Sequence, residues 1–341
     1  MGFDLRIGLA YDLKEAVRRE IGIVGTDDCL EEYDSQETVD ALANTIGALG
    51  HHVIPLGGGK EFIQNLLHEQ VDFVFNIAEG RGSYRSREAQ IPSILEMLSI
   101  PYSGSDPQCL AVCLDKPLTK TIVSMAGIST PQWRLITDRK ELASVDWKDF
   151  HFPAFVKPAY EGSSKGILGG CRVAEQKLIQ EPVINLLERY HQPVLVEEFI
   201  DGDEVTVGIV GNYPPKIVGI MRVVPRQKAE YFIYSLEVKR DWEQLVDYEC
   251  PAKLSSTVMQ SIADTALKIF KVLGCRDISR VDFRVNAEGI PFFLEINPLP
   301  GLNPHSGDLP IMAGKMGYKY QELIAATLNA ALSRYPQCVR K

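Results

Sequence analysis

Missing from this 341-residue chain is any excess of positive charge: 45 acidic residues outweigh 36 basic ones, for a formal net charge of -9. Without a broad basic field, neither a nucleic-acid backbone nor an anionic membrane has a surface to hold it, and an anion must be captured by a local cluster. The start, MGFDLRIGLAYDLKEAV, has no apolar core after a basic segment, and no run of about eighteen apolar residues occurs, so neither a signal peptide nor a membrane helix is expected. A cytoplasmic protein is the expectation. The seven cysteines (29, 109, 113, 171, 250, 275 and 338) include no C-x-x-C and pair with no histidines at zinc spacing. Their odd number argues against a secreted disulfide framework and for reduced, mostly buried thiols. No internal repeat or low-complexity tract is present. The string LGGGK at 56 to 60 lacks the P-loop spacing and its following Ser or Thr, and reads as a turn.

What is there, 45% hydrophobic and 24% charged residues, suits a globular chain of two or three subdomains. LRIGLAY, a periodic stretch from Ser35 to Leu49, HHVIPL, FIQNLLHE and VDFVFNI alternate strand and helix patterns, as in βαβ units around a parallel sheet. A helix from about Arg87 to Leu98 should stop before Ile100-Pro101, with PYSGSDP as loop. From Pro153, short strands with few crossovers (PAFVKP, GGCRV, PVLVEEFI, EVTVGIVG) suggest antiparallel α+β units. Helices are expected at about 175 to 190, Ser255 to Leu273 and Tyr320 to Leu332, with a mixed stretch from Val223 to Tyr248 and a proline-glycine loop at 298 to 310. The divisions expected are 1–113, an N-terminal α/β domain; 114–200, a central α+β subdomain; and 201–341, a C-terminal one.

ISRVDFRV alternates Arg280, Asp282 and Arg284 with Val281, Phe283 and Val285, and PFFLEIN alternates Phe293, Glu295 and Asn297 with Phe292, Leu294 and Ile296. Residues 286 to 289 make a hairpin turn, and one register that puts both polar faces on one side sets Asp282 opposite Glu295 and Arg280 opposite Asn297. Opposed carboxylates lie about 4.5–5.5 Å apart at Cβ and repel unless a positive group intervenes. Either Arg280 is the counter-ion of a solvated face, or a divalent cation sits there. Oxygen donors alone favour Mg²⁺ over zinc.

FVKPAYEGSSKGILGG places Lys157 at a strand end before a loop of Gly162, Ser163, Ser164 and Gly166, whose amides and hydroxyls suit phosphate oxygens or a mere turn. Lys116 precedes Pro117 in the first turn of a helix, where the dipole disfavours a cation; it either reaches for an anion or is solvated. Glu197 and Glu204 flank an Asp201-Gly202 turn, for adenine and ribose contacts or as a charged hinge.

DKPLTK, FVKPAYEGSSKG, VEEFIDGDEVTV, RVDFRV and LEINPLPGLNPHS, in this order and spacing, resemble the D-alanine-D-alanine ligase family of ATP-grasp enzymes, over about Ile91 to the C-terminus. The resemblance implies a Rossmann-like N-terminal parallel-sheet domain and two α+β subdomains clasping ATP. It would assign Lys116 and Lys157 to the ATP phosphates, Glu197 to adenine, Glu204 to ribose, Ser163 and Ser164 to the covering loop, and Lys239 to a further phosphate contact. Asp282, Glu295 and Asn297 would hold two Mg²⁺ ions, or Mn²⁺. Arg280 and the amide of Gly301 would stabilise the oxyanion, and Ser306 would hold the carboxylate of the amine-donating substrate. The implied activity joins a carboxylate to an amine through an acyl phosphate, on small-molecule substrates, in a homodimer, without nucleic acid or membrane.

Departures from the family pattern fall at the donor end. The N-terminal glycine-rich segment is not recognisable in RIGLAYDLKEAV, NIAEGRGSYRSREAQ replaces HGxxGEDG, and Arg240 stands for the loop tyrosine. The resemblance therefore leaves open D-alanine itself or another donor; Arg81, Arg85, Arg87 and Arg240 either favour a larger, more acidic one or are ordinary surface arginines. A non-catalytic nucleotide-binding regulator, or a phosphotransferase stopping at a phosphorylated product, would be the competing activities.

Overall fold

The computed structural model describes residues 4–22, 26–167, 170–227 and 230–339. The first residues of the MGFDLRIG segment, Gly169 of GGCRV, and residues 228–229 in the stretch from Val223 to Tyr248 lie outside them.

Strands β1 (Arg6–Ala10), β2 (His52–Gly57) and β3 (Phe73–Asn76) form a parallel sheet in the order β2-β1-β3. Ile7, Leu9, Phe73 and Phe75 turn to one core and Ala10, Leu56 and Val74 to another. A sheet covered on both faces needs apolar residues at consecutive positions, which is why FVF runs unbroken. The helix Gln36–Ala48 begins where Ser35 accepts the Thr38 amide at 3.3 Å, satisfying a free N–H of the first turn. LGGGK is not a separate turn: Leu56 and Gly57 end β2, and Gly58 caps the helix Gly59–His68. The segment from Arg87 is a 3₁₀ turn, Arg87–Ala89, continuing as the helix Gln90–Met97. Two further helices, Pro107–Leu114 and Lys116–Met125, are capped by Asp106 and Asp115.

Four antiparallel strands follow: β4 (Trp133–Ile136), β5 (Ala154–Pro158), β6 (Arg172–Val173) and β7 (Val194–Glu198), ordered β4-β7-β5-β6. One face packs Val156, Val194 and Val196 on the helix Gln180–Tyr190. The remaining strands, β8 (Asp203–Val210), β9 (Lys216–Pro225), β10 (Val246–Glu249), β11 (Ile278–Val285) and β12 (Pro291–Asn297), make a second antiparallel sheet in the order β10-β9-β8-β11-β12. Its apolar face packs on the helix Ser256–Val272 together with Cys109, Cys113 and Val123 from the two earlier helices. The polar face opens toward the four-stranded sheet. The terminal helix Tyr320–Leu332 lies where the periodicity put it. The proline-glycine loop ends earlier than expected, because the helix Asp308–Lys315 takes Pro310 into its first turn, where a missing N–H costs nothing. Among the described residues no helix is long and apolar enough to cross a membrane.

Candidate active site in a two-part cleft

The β11–β12 hairpin pairs Asp282 with Glu295 and Arg280 with Asn297, the register expected from the alternation. The alternation misplaces the nearer half of β12. The register shifts after Asp282, so that Phe283 meets Phe293 and Leu294 is an extra, bulged residue. Phe293 therefore joins Ile296 in the core, while Phe292 and Leu294 are only half-buried. Carrying the turn's register onward would set Leu294 against Asp282 and rotate Glu295 to the opposite face. The bulge is what brings the two carboxylates together.

Around them lie two adjoining cavities of unequal size. The smaller, between the sheets, is lined by Lys157, Ser164, Glu197, Glu204 and Asp282. The larger is lined by Lys116, Ser163, Asn297, Gly301 and Ser306, and Lys239, Arg280 and Glu295 border both. The residues that the resemblance assigns to nucleotide, metal, oxyanion and acceptor thus line two adjoining cavities, although segments separated by over a hundred positions supply them; Gly166, Arg81, Arg85 and Arg87 line neither.

Asp282 accepts from Thr206 Oγ1 at 2.6 Å, from Arg280 Nε and Nη2 at 3.1 and 3.0 Å, and from Asn297 Nδ2 at 3.2 Å. Arg280 also reaches Asp308 at 3.3 Å; burial alone would lower its pKa, but Asp282 and Asp308 outweigh that and keep its guanidinium protonated. Glu295 lies 3.5 Å from Lys116 Nζ. Burial alone would raise its pKa, but Lys116, Lys157, Lys239 and Arg280 together outweigh that and hold it at about 2. Glu197 is buried between Lys157 Nζ at 2.7 Å and Lys120 Nζ at 2.9 Å. Burial pushes the Lys120 ammonium down to about 8 in spite of Glu197. Lys120 escaped notice in the sequence, though its spacing from Lys116 places both on one helix face. Asp308 and Tyr234, hydrogen-bonded at 3.2 Å, were also missed, since no local pattern marks them.

Ser163 and Ser164 sit at φ +50° and +57°, a left-handed conformation unfavourable for residues with a Cβ, and Gly166 at +74°. The loop is held by Gly166 N donating to Asp28 at 2.9 Å, Ser164 Oγ donating to Tyr234 O at 3.3 Å, and Lys165 bridging Glu161 and Glu32 at 2.5 and 3.2 Å. At the donor end the four arginines are all neutralised in place. Arg81 pairs with Asp12 and Glu20, Arg85 with Asp115, Arg87 with Glu32 and Glu161, and Arg240 with Glu31. The larger cavity is also lined by Asp34, Glu79 and Glu88. Burial, then neighbouring acids, raises Asp34 to about 8 and Glu79 well above the ordinary range. Burial raises Glu88 to about 7 against the pull of Arg87.

Two α+β sheets closing on a cleft with lysines on its walls and paired carboxylates on its floor define an ATP-grasp fold. The family model described as D-ala D-ala ligase C-terminus matches residues 122–329, and the chain belongs to that family. A D-alanine–D-alanine ligase of Aquifex aeolicus is 34% identical over 305 residues, 88% of this chain and 96% of the relative. An uncharacterized protein, y4sG, of Sinorhizobium fredii is 33% identical over 307 residues, 87% of this chain and 88% of its own. Two solved structures share the fold: D-alanine–D-alanine ligase from Bacillus anthracis (TM-score 0.72, 23% identity, 98% of this chain and 99% of that one) and VanG D-Ala:D-Ser ligase from Enterococcus faecalis (0.74, 21%, 96% and 100%).

Proposed function

We propose that this chain is an ATP-dependent carboxylate-amine ligase that activates a small amino acid or related carboxylate and joins it to the amine of a second one. The observation that carries the reading is the hairpin register. Asp282 and Glu295 face each other beside Arg280, with Lys116 and Glu295 in contact and Lys157 and Lys239 adding to the same field. Lys116, Lys157 and Lys239 gather within reach of Glu295, and a divalent cation on the paired carboxylates would add the positive charge that a triphosphate needs.

The donor set fits a hard divalent cation: Asp282, Glu295 and the side-chain oxygen of Asn297 are oxygen ligands, and Glu295 stays ionised across the physiological range. Magnesium bound there would screen the phosphate charges that oppose attack by an anionic donor. The chain's own residues do the rest. Lys116, Lys157 and Lys239 hold the phosphates, and Glu197 and Glu204 meet the base and ribose. The donor carboxylate attacks the terminal phosphorus, ADP leaves, the amine attacks the acyl carbon, and phosphate departs. Arg280 and the Gly301 amide stabilise the oxyanion of that second step, and Ser306 orients the acceptor's carboxylate.

The raised carboxylates Asp34, Glu79 and Glu88 suit a donor presenting an ammonium group, since a cation would restore their charge. D-Alanine meets that requirement, as does any amino acid that fits the larger cavity. A panel of amino acids, assayed for phosphate release with mass detection of the product, tests the reading. ADP and an amide should form only when both substrates are present. ADP formation with one substrate, a phosphorylated product and no amide would make the protein a phosphotransferase, and no turnover across the panel would make it a binding protein.

A further inference from the structure

Three thiols gather beneath the larger cavity, apart from the residues given to nucleotide and metal. Cys109 and Cys113 lie one turn apart on the helix Pro107–Leu114, and Cys275 lies just ahead of β11. Cys109 Sγ is 3.8 Å from Cys113 Sγ and 3.6 Å from Cys275 Sγ, and all three sulfurs fall within 4.8 Å of one another. Each residue is at most 7% exposed. Buried cysteines commonly act as small apolar residues, and these also pack with Val123 and Ile128. Packing alone asks for no convergence of sulfurs from two distant segments. Thiolates about 2.3 Å from a common ion stand roughly 3.8–4.0 Å apart, close to the spacing found.

We propose that Cys109, Cys113 and Cys275 form a binding site for one soft, thiophilic metal ion of the copper(I) class. Three sulfurs without histidine or carboxylate match such an ion better than zinc, which takes four ligands. The nearest carboxylate is already committed: Asp106 accepts from the Cys109 amide at 2.8 Å and from Arg276 Nη2 at 2.6 Å. Cys109 lies in the first turn of its helix, where the dipole favours a thiolate. Cys113 forms part of the wall of the larger cavity, which gives the ion a path in and the displaced thiol protons a path to solvent. An ion held there ties the helix leading to Lys116 to the start of the strand that carries Arg280 and Asp282.

The full-length protein, reduced and kept anaerobic, is titrated with copper(I) against bicinchoninate, and the copper-loaded form is examined by X-ray absorption. The expected result is one equivalent retained, with three sulfur neighbours near about 2.3 Å. A variant lacking the half-buried thiols, Cys29→Ala with Cys250→Ala, should bind equally well. Cys109→Ala and Cys275→Ser should each weaken binding by at least about a hundredfold, the upper end of losses from disturbing a metal's outer shell. Retention unaffected by those substitutions, no retained equivalent, or a spectrum without three sulfurs overturns the site. The absorption spectrum decides the matter on the unaltered protein if a substituted chain fails to fold.

Discussion

Replacing Glu197 by glutamine removes one negative charge from between two buried ammonium groups while keeping the side chain's size. Glu197, Lys120 and Lys157 have side chains 3%, 0% and 5% exposed, so solvent cannot take over the pairing. Each lysine must then stay charged and unpaired or release its proton. Proton release sets a ceiling on the penalty: from a reference pKa of about 10.4, at about 1.36 kcal/mol per unit, it costs about 4.6 kcal/mol per lysine at pH 7. Lys120 already bears part of this, since its ammonium stands at about 8 with Glu197 present. Most of the new cost falls on Lys157, which Glu197 holds protonated. Glu197→Gln should therefore destabilise the protein by about 3–5 kcal/mol at pH 7, the range for breaking a buried ion pair. At pH 9.5, within about one unit of the unfolded lysine's pKa, removing the proton costs far less: the ceiling drops to about 1.3 kcal/mol per lysine, and the penalty should shrink to about 1–2 kcal/mol. The sign follows because the unfolded variant binds protons its folded state has lost, so its stability rises with pH. Urea denaturation followed by circular dichroism at both pH values measures this. A penalty under 1 kcal/mol at pH 7, or one equal at the two pH values, refutes the reasoning.

Asp282→Asn and Glu295→Gln should each lower ligase turnover by at least about a hundredfold with the fold retained, as losing a charge-stabilising group does; near-normal turnover in both removes the metal assignment. Arg87→Met, in a side chain 1% exposed between Glu32 and Glu161, should cost about 3–5 kcal/mol, whereas Arg85→Ala, 66% exposed, should cost less than about 1 kcal/mol in the same denaturation assay. In Gly166→Ala the new Cβ would stand 2.5 Å from Pro158 Cγ at φ +74°, and denaturation should show a loss of about 2–4 kcal/mol. Glu88, facing Arg87, Glu32, Lys116, Cys109 and Glu79, titrates at about 7, and a cationic donor binds its ionised form. Donor affinity should therefore rise at least about tenfold from pH 6 to pH 8, with Asp34 and Glu79 adding to the rise at higher pH, and Glu88→Gln should remove the part centred near pH 7 in a KM titration.

The hairpin could be read from sequence because strand side chains alternate with a period of two, and the wide spacing of polar and apolar residues in ISRVDFRV leaves one sensible inward face. The bulge at Leu294 could not, since a residue skipped in pairing leaves no mark in the alternation of PFFLEIN. The helix Pro107–Leu114 was invisible for a related reason: Cys109, Leu110, Cys113 and Leu114 are all buried, so its sequence shows no clean polar stripe to set the period. The arginines at 81, 85, 87 and 240 were ambiguous because their partners, Asp12, Glu32, Asp115 and Glu31, come from distant segments that only tertiary folding brings near. Local residue patterns report faces and turns, while charge compensation is settled by long-range contacts.

On the proposed reading the cleft must bring together two like-charged groups, a donor carboxylate and a triphosphate. Its own ion pairs leave little free positive charge, since Lys157 is held by Glu197 and Arg280 by Asp282 and Asp308, so a divalent cation on Asp282 and Glu295 would supply the remainder. Asp34, Glu79 and Glu88 would set the donor's orientation, because an ammonium group turned toward them leaves the carboxylate directed at the side lined by Lys116 and Arg280. Arg280 borders both cavities, shared between Asp282 and Asp308, both of which fix its guanidinium in place. A cation held on two sides before substrate arrives needs little reorganisation to meet developing negative charge, so on the proposed reading these ion pairs would serve catalysis as well as stability.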